Sequence, residues 1–159
     1  MTKATAEWAD LSMQVHIDAS PEKVWAGLTE QMSDWWPADF YAGGQDGERK
    51  IEIEAWPGGR MFETWNNGGG NLWGTVIFIN PNHALQIHGS LFPNWGGPTA
   101  CFQSWELKAD GEGTSLTFSE SSVGRVSDEG MREKDKGWQF LWQTLKAHVE
   151  GKAPPVWEG

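Results

Sequence analysis

Cysteine is almost missing from this sequence, with Cys101 the only one among 159 residues. No intrachain disulfide can form and no thiolate metal cluster can assemble, a usage that fits the reducing cytoplasm. Basic residues are scarce as well: 12 Lys and Arg stand against 22 Asp and Glu, a formal net charge of -10. Nucleic acids and anionic membrane surfaces both recruit proteins through a basic footprint, so neither a nucleic acid nor a membrane is an expected partner. No apolar run approaches the roughly 18 to 20 residues that span a bilayer. Met1 to Asp10 lack the basic segment followed by an apolar one that marks an exported chain, and the expected location is cytoplasmic. His16, His83, His88 and His148 are scattered without metal-ligand spacing, and Gly68-Gly69-Gly70 does not lead into a helix as a phosphate loop must. Neither a metal nor a cofactor is expected.

Tryptophan is what the chain has in excess, with 12 residues. Each ring brings a large apolar area and one N–H donor, suited to core, cavity wall or interface alike. The length is that of one domain over residues 1–159, with a core of about 11–151. Leu11 to Ala19 alternates, with Leu11, Met13, Val15 and Ile17 on one side, as a half-buried strand does. Ser20-Pro21 opens a short helix, Ser20 as its N-cap and Val24, Trp25 and Leu28 as its apolar face. Ser33 to Pro37 reads as a second helical turn ended by proline, Asp39 to Gly47 as loop, and Glu48 to Trp56 as another alternating strand. Thr99 to Lys108 and Thr114 to Ser122 form a hairpin. With Leu107 opposite Leu116, one face collects Cys101, Gln103, Trp105, Phe118 and Glu120. Asp128 to Glu150 is the only long helix, and its Trp138, Leu141, Trp142, Leu145 and Val149 fall on one stripe.

Residues 56 to 79 read as two strands about a glycine-rich turn at Asn66 to Asn71. Pairing about that turn sets Glu63 opposite Gly74 and puts Met61, Glu63, Trp65, Leu72, Gly74 and Val76 on one face. Across the next turn, Asn80 to His83, Leu85, Ile87, Gly89 and Leu91 join Val76 and Phe78. The other face carries Trp56, Phe62, Trp73 and Ile77, an exposed apolar patch that predicts a homodimer through the sheet. The alternative is that the segment around Trp8 folds over it.

Five motifs, Ala19-Ser20-Pro21-Glu22-Lys23-Val24-Trp25, Trp35-Trp36-Pro37, Gly58-Gly59-Arg60-Met61-Phe62-Glu63, Trp73-Gly74-Thr75-Val76 and the helix beginning Gly137-Trp138, occur in an order that resembles the START/Bet v 1-like (SRPBCC) superfamily. Within it the chain looks most like the branch related to the heat-shock-protein-90 ATPase activator homologue. The resemblance implies an α+β helix-grip fold: a curved antiparallel sheet of about seven strands wrapped around a long C-terminal helix, with two short helices after the first strand. It also implies a cavity between sheet and helix, which in many relatives holds an apolar or aromatic small molecule. It implies no shared catalytic residues, so the site is argued from the residues themselves.

On the expected cavity wall, Glu63, Gln103 and Glu120 are polar among Met61, Trp65, Val76, Ile87, Trp105 and Phe118, with Trp138 and Trp142 opposing them from the helix and Trp36 and Phe40 near the mouth. An ionised carboxylate there must be paired, hydrated or neutralised. Glu63 and Glu120 are therefore either structural acids with a hidden partner or the polar groups of a ligand pocket. As general acid and base they would need each other or a histidine within reach. Arg60 alternates to the opposite face from Glu63, where a rim salt bridge suits it, and Cys101 reads as a small buried hydrophobe. Three functions stay open: binding of a small apolar or aromatic molecule, a cyclase- or hydrolase-type enzyme with Glu63 as general base, and a co-chaperone-like protein-binding module. Binding ranks ahead of catalysis, because no base and nucleophile are visibly paired.

Overall fold

A computed structural model describes residues 5–43 and 47–159. Gly44, Gln45 and Asp46 of the expected Asp39–Gly47 loop, and Met1 to Ala4 of the N-terminal segment, lie outside the described residues. The elements are β1 (Glu7–Ile17), α1 (Pro21–Thr29), α2 (Met32–Trp35), β2 (Arg49–Ile53), β3 (Arg60–Trp65), β4 (Gly70–Asn80), β5 (Ala84–Leu91), β6 (Thr99–Asp110), β7 (Gly113–Gly124) and α3 (Asp128–Glu150). Single 3-10 turns follow α2 at Ala38–Phe40 and β5 at Pro93–Trp95. The seven strands form one curved antiparallel sheet in the order β1-β7-β6-β5-β4-β3-β2, the helix-grip architecture the resemblance implied. Consecutive strands from β2 to β7 are neighbours because short turns join them. β1 instead crosses over, to close the sheet beside β7.

Local chemistry places the helices. Ser20 caps α1, its Oγ accepting the Lys23 amide, and Pro21 occupies the first turn where a missing N–H costs nothing. The Trp35 indole donates to the Gly27 carbonyl at 2.8 Å and ties α2 to α1. Gly27 is itself required by packing, since a Cβ there would lie 2.9 Å from Val149 Cγ2 on α3. Ser127 caps α3 by accepting the Gly130 amide at 3.0 Å, and α3 then buries Leu141, Trp142, Leu145 and Val149 in one core with Ile17, Ile51, Leu85, Leu116 and Phe118 of the sheet.

The register of β6 and β7 is the expected one, with Leu107 opposite Leu116 and Gln103 opposite Glu120. That of β3 and β4 is not. Glu63 lies opposite Asn71, and Met61 takes the place opposite Gly74. The reversal is tighter than the composition suggests: the Trp65 amide already bonds the Gly69 carbonyl at 2.9 Å, so β4 begins at Gly70. Irregular pairing between Met61 and Phe62 then leaves Trp73 as an extra residue on β4, and a second irregularity between Val76 and Phe78 leaves Ile77. Each bulge exchanges the two faces for the residues beyond it. Leu72 and Phe78, expected inside, are 56% and 47% exposed, while Trp73, expected outside, turns inward and Ile79 packs on the core. Trp8 belongs to a longer β1 than expected, opposite Val123 and 70% exposed, so it does not cover the β3–β4 patch.

At the far end of α3, Lys146 donates to the His16 carbonyl and pairs with Glu150, which also accepts the Asp18 amide at 2.9 Å and faces Lys152 at 2.7 Å. Burial pushes the Glu150 carboxyl up, but the Asp18 amide and the two lysines outweigh it and hold it at about 2, below its ordinary 4.5. The unfolded chain takes up this proton first, so the stabilisation is complete above pH 4.5 and disappears as pH falls towards 2. Glu150→Gln is expected to lower stability at neutral pH and to flatten the acid loss between those two values, as read from urea unfolding across a pH series.

Candidate functional site

A cavity of about 250 Å³ lies between the concave face of the sheet and the first half of α3. Its walls are largely apolar. Met61 on β3, Trp73 on β4, Ile87 and Leu91 on β5, and Trp138 and Leu141 on α3 contribute, and Trp36 and Phe40 close it from the segment after α2. Phe40 is backed by the C-terminal tail: Trp157 sits edge-on to it at 5.1 Å between centroids and contacts Phe140 at 4.9 Å, and Lys136 lies over the Trp157 ring.

One end of the cavity is polar, and the β6–β7 register builds it. Gln103 lies opposite Glu120 and Cys101 opposite Ser122, all on the inner face. Glu120 is 3% exposed and accepts three donors: Gln103 Nε2 at 2.7 Å on Oε2, and Ser122 Oγ at 3.0 Å and Lys134 Nζ at 2.7 Å on Oε1. Lys134 reaches in from α3 and also donates to Ser122 Oγ at 2.9 Å and towards Cys101 Sγ at 3.6 Å. Gln103 Oε1 in turn accepts the Trp105 indole at 3.2 Å. Buried ions persist when paired and hydrogen-bonded, and here both conditions hold. Burial and the Glu120 charge push the Cys101 thiol up against the opposing pull of Lys134, which keeps it a thiol rather than a nucleophilic thiolate.

Of the residues expected to bind a ligand, Trp36, Phe40, Met61, Ile87, Gln103, Glu120 and Trp138 line this cavity. Val76, Trp105, Phe118 and Trp142 do not; they are core. Trp142 stacks on Trp138 at 5.2 Å and meets Trp105 and Phe118 at 5.3 and 5.4 Å, so rings occupy the space deeper under the helix and leave only the outer part open. Trp73, Leu91, Cys101 and Lys134 were not among the expected ligand contacts. Lys134 could have been found, because it stands four residues before Trp138 and extends the apolar stripe of α3 by one turn. Trp73 could not, since its inward turn depends on a bulge.

Glu63 and Trp65 lie outside the cavity. Glu63 is 1% exposed, and its Oε1 accepts the amides of Ala42 and Gly43 at 2.7 and 3.1 Å and the Trp65 indole at 3.1 Å. Arg49 donates to the Ala38 and Gly43 carbonyls and lies 4.7 Å over the Tyr41 ring. Together they fix residues 38–43, the segment that carries Phe40 to the cavity mouth. Glu63 thus anchors this segment through its Oε1 and does not line the cavity. Arg60 pairs with Glu54 on the outer rim, as alternation implied. Among the described residues no group of three or more His, Cys, Asp or Glu side chains is arranged to hold a metal ion.

Glu63→Gln removes the charge that accepts these amides, and hydrogen bonds to a charged group contribute more than neutral ones. The expected outcome is a stability loss of about 1–3 kcal/mol in chemical denaturation. Hydrogen exchange at the Ala42 and Gly43 amides should rise by about tenfold or more. Unchanged exchange there would remove Glu63 as the anchor of the segment.

No curated protein sequence matches the chain. Solved structures of similar fold do exist. A putative uncharacterized protein from Rhizobium leguminosarum superposes with a TM-score of 0.67 at 22% identity, covering 93% of this chain and 98% of its own. A conserved protein of unknown function from Enterococcus faecalis gives 0.67 at 19% identity, covering 95% and 78%. The Aha1 dimer from Colwellia psychrerythraea gives 0.62 at 22% identity, covering 89% and 96%. At these identities the likeness is one of fold. The family match runs over residues 18–150, most of the length, and the chain accordingly belongs to the activator of Hsp90 ATPase homolog 1-like proteins, within the SRPBCC superfamily.

Proposed function

We propose that this protein binds one small apolar or aromatic molecule in the cavity between the sheet and α3. The observation that carries the reading is the combination of an open volume of about 250 Å³, walls largely of aromatic and aliphatic side chains, and a polar cluster of Gln103, Glu120 and Lys134 at one end. Cavities of this make-up take ligands by apolar burial and orient them by a few polar groups. The enzyme reading draws less support. The carboxylate in the cavity, Glu120, is ion-paired with Lys134 and bonded to Gln103 and Ser122, and no histidine or second carboxylate is among these partners. Glu63, the other candidate base, is engaged with backbone amides. The co-chaperone-like reading rests on the family's description and on no feature of the cavity.

A homodimer is the accompanying reading, supported by one observation. The outer face of the sheet exposes Leu72, Ile77, Phe78 and Phe102, with His88 stacked on Phe102 at 4.9 Å. Apolar exposure of this kind marks association surfaces, and a structural neighbour is described as a dimer.

Native mass spectrometry of the freshly purified protein tests both readings. The expected species is a dimer with one small apolar or aromatic compound per chain, released on denaturation. In Leu91→Trp, which fills the cavity rim, the compound should be lost while the protein stays folded. In Phe102→Glu the dimer should dissociate with the compound retained. Retention of the compound by Leu91→Trp would contradict the cavity as its site, and a wild-type monomer would contradict the dimer.

A further inference from the structure

Every donor on Lys134 is already engaged, and that decides what kind of molecule the cavity can orient. An ammonium carries three N–H groups. Those of Lys134 go to Glu120 Oε1, Ser122 Oγ and Cys101 Sγ. The pair is neutral as a unit, so this lysine, the one cation among the described residues that line the cavity, has no charge or hydrogen bond to offer a ligand anion. Glu133, from the same turn of α3, adds a second carboxylate to the lining, and the whole chain carries a formal charge of -10. A ligand carboxylate brought to this end would be desolvated next to Glu120 without a counter-charge.

What the polar end does offer is an acceptor. A carboxylate has about four acceptor positions, and Gln103, Ser122 and Lys134 fill three of those on Glu120. The open one is on Oε2, where the Gln103 amide is the donor among the described residues. Gln103 gives one of its two Nε2 hydrogens to that bond, which leaves the other for a ligand oxygen. Acceptor and donor side by side match a group that both gives and takes one hydrogen bond, which is a hydroxyl. The indole and phenyl rings of Trp36, Phe40, Trp73 and Trp138 on the remaining walls suit a planar ring system.

We infer that the cavity selects neutral hydroxy-aromatic molecules of one or two rings, with the ligand hydroxyl donating to Glu120 Oε2 and accepting from Gln103, and that it rejects the corresponding carboxylates. This rests on the small-molecule reading above and adds the chemical class.

Isothermal titration calorimetry on the wild-type protein at pH 7 with 2-naphthol, naphthalene and 2-naphthoate separates the two claims. The expected result is that 2-naphthol binds about tenfold or more tighter than either of the others, as a charge-assisted hydrogen bond implies. Equal affinity for 2-naphthol and naphthalene would overturn the hydroxyl selectivity and leave the cavity reading standing. Tightest binding by 2-naphthoate would overturn it too, and would show that Lys134 abandons Glu120 for the ligand. No binding by any of the three would remove the cavity reading and the inference with it. In Glu120→Leu combined with Lys134→Met, which removes both charges together, 2-naphthol should fall to the affinity of naphthalene; a preserved preference would place the hydroxyl elsewhere. The ligand series on the wild type decides the selectivity even where that double variant does not fold.

Discussion

The ion pair between Lys134 and Glu120 is the interaction on which the arrangement of this protein depends. Glu120 sits on the inner face of β7, where an unpaired carboxylate would be prohibitive, and its cation comes from a different element, the first half of α3. The pair therefore does more than neutralise a charge. It holds the N-terminal half of the helix against β6 and β7, short of the ring cluster of Trp105, Phe118, Trp138 and Trp142, which lies further along. Helix and sheet are thus fastened by aromatic packing at one station and by charge at another. The open volume of the cavity lies beside the charged station, bounded by both.

The two buried glutamates show two physical solutions to the same problem. Glu120 is neutralised by a cation and two neutral donors, and it ends up facing a cavity. Glu63 accepts backbone amides and an indole, and it ends up organising the segment that carries Phe40. All three of the Glu63 bonds fall on Oε1, and its Oε2 is buried without a hydrogen-bond partner among the described residues. Glu120 is a wall of the site, and Glu63 keeps the site's mouth in place. Trp157, packed behind Phe40, gives the mouth a second support from the other end of the chain.

Much of this was legible in the sequence where period and turn chemistry agree. The Ser20 cap, the limits of α3 and the β6–β7 register all come from alternation, helical spacing and a short turn, and they place Gln103 beside Glu120 correctly. The β3–β4 register was not legible, because a run of Asn and Gly tolerates several turn lengths and only tertiary packing chooses among them. Two bulges on β4 then exchange faces locally, which moves Trp73 inward and Leu72 and Phe78 outward. The position of Lys134 was legible, one turn before the apolar stripe of α3, but the carboxylate it meets was not, because spacing along a helix does not say which strand faces it. Which rings fill space and which leave it open was beyond periodicity altogether, since Trp138 lines the cavity and Trp142, one turn on, is core.

The most direct measurement is a double-mutant cycle on the pair, with chemical denaturation of the wild type, Glu120→Gln, Lys134→Met and the double variant. Losing one partner of a buried pair strands the other, whereas losing both leaves a neutral site. Each single variant is expected to lose about 3–5 kcal/mol. The double variant is expected to be less destabilised than the sum of the singles by about 1.5–3 kcal/mol. Additive losses would mean that Lys134 and Glu120 do not depend on each other, and would contradict the charge-fastened helix on which the proposed cavity rests.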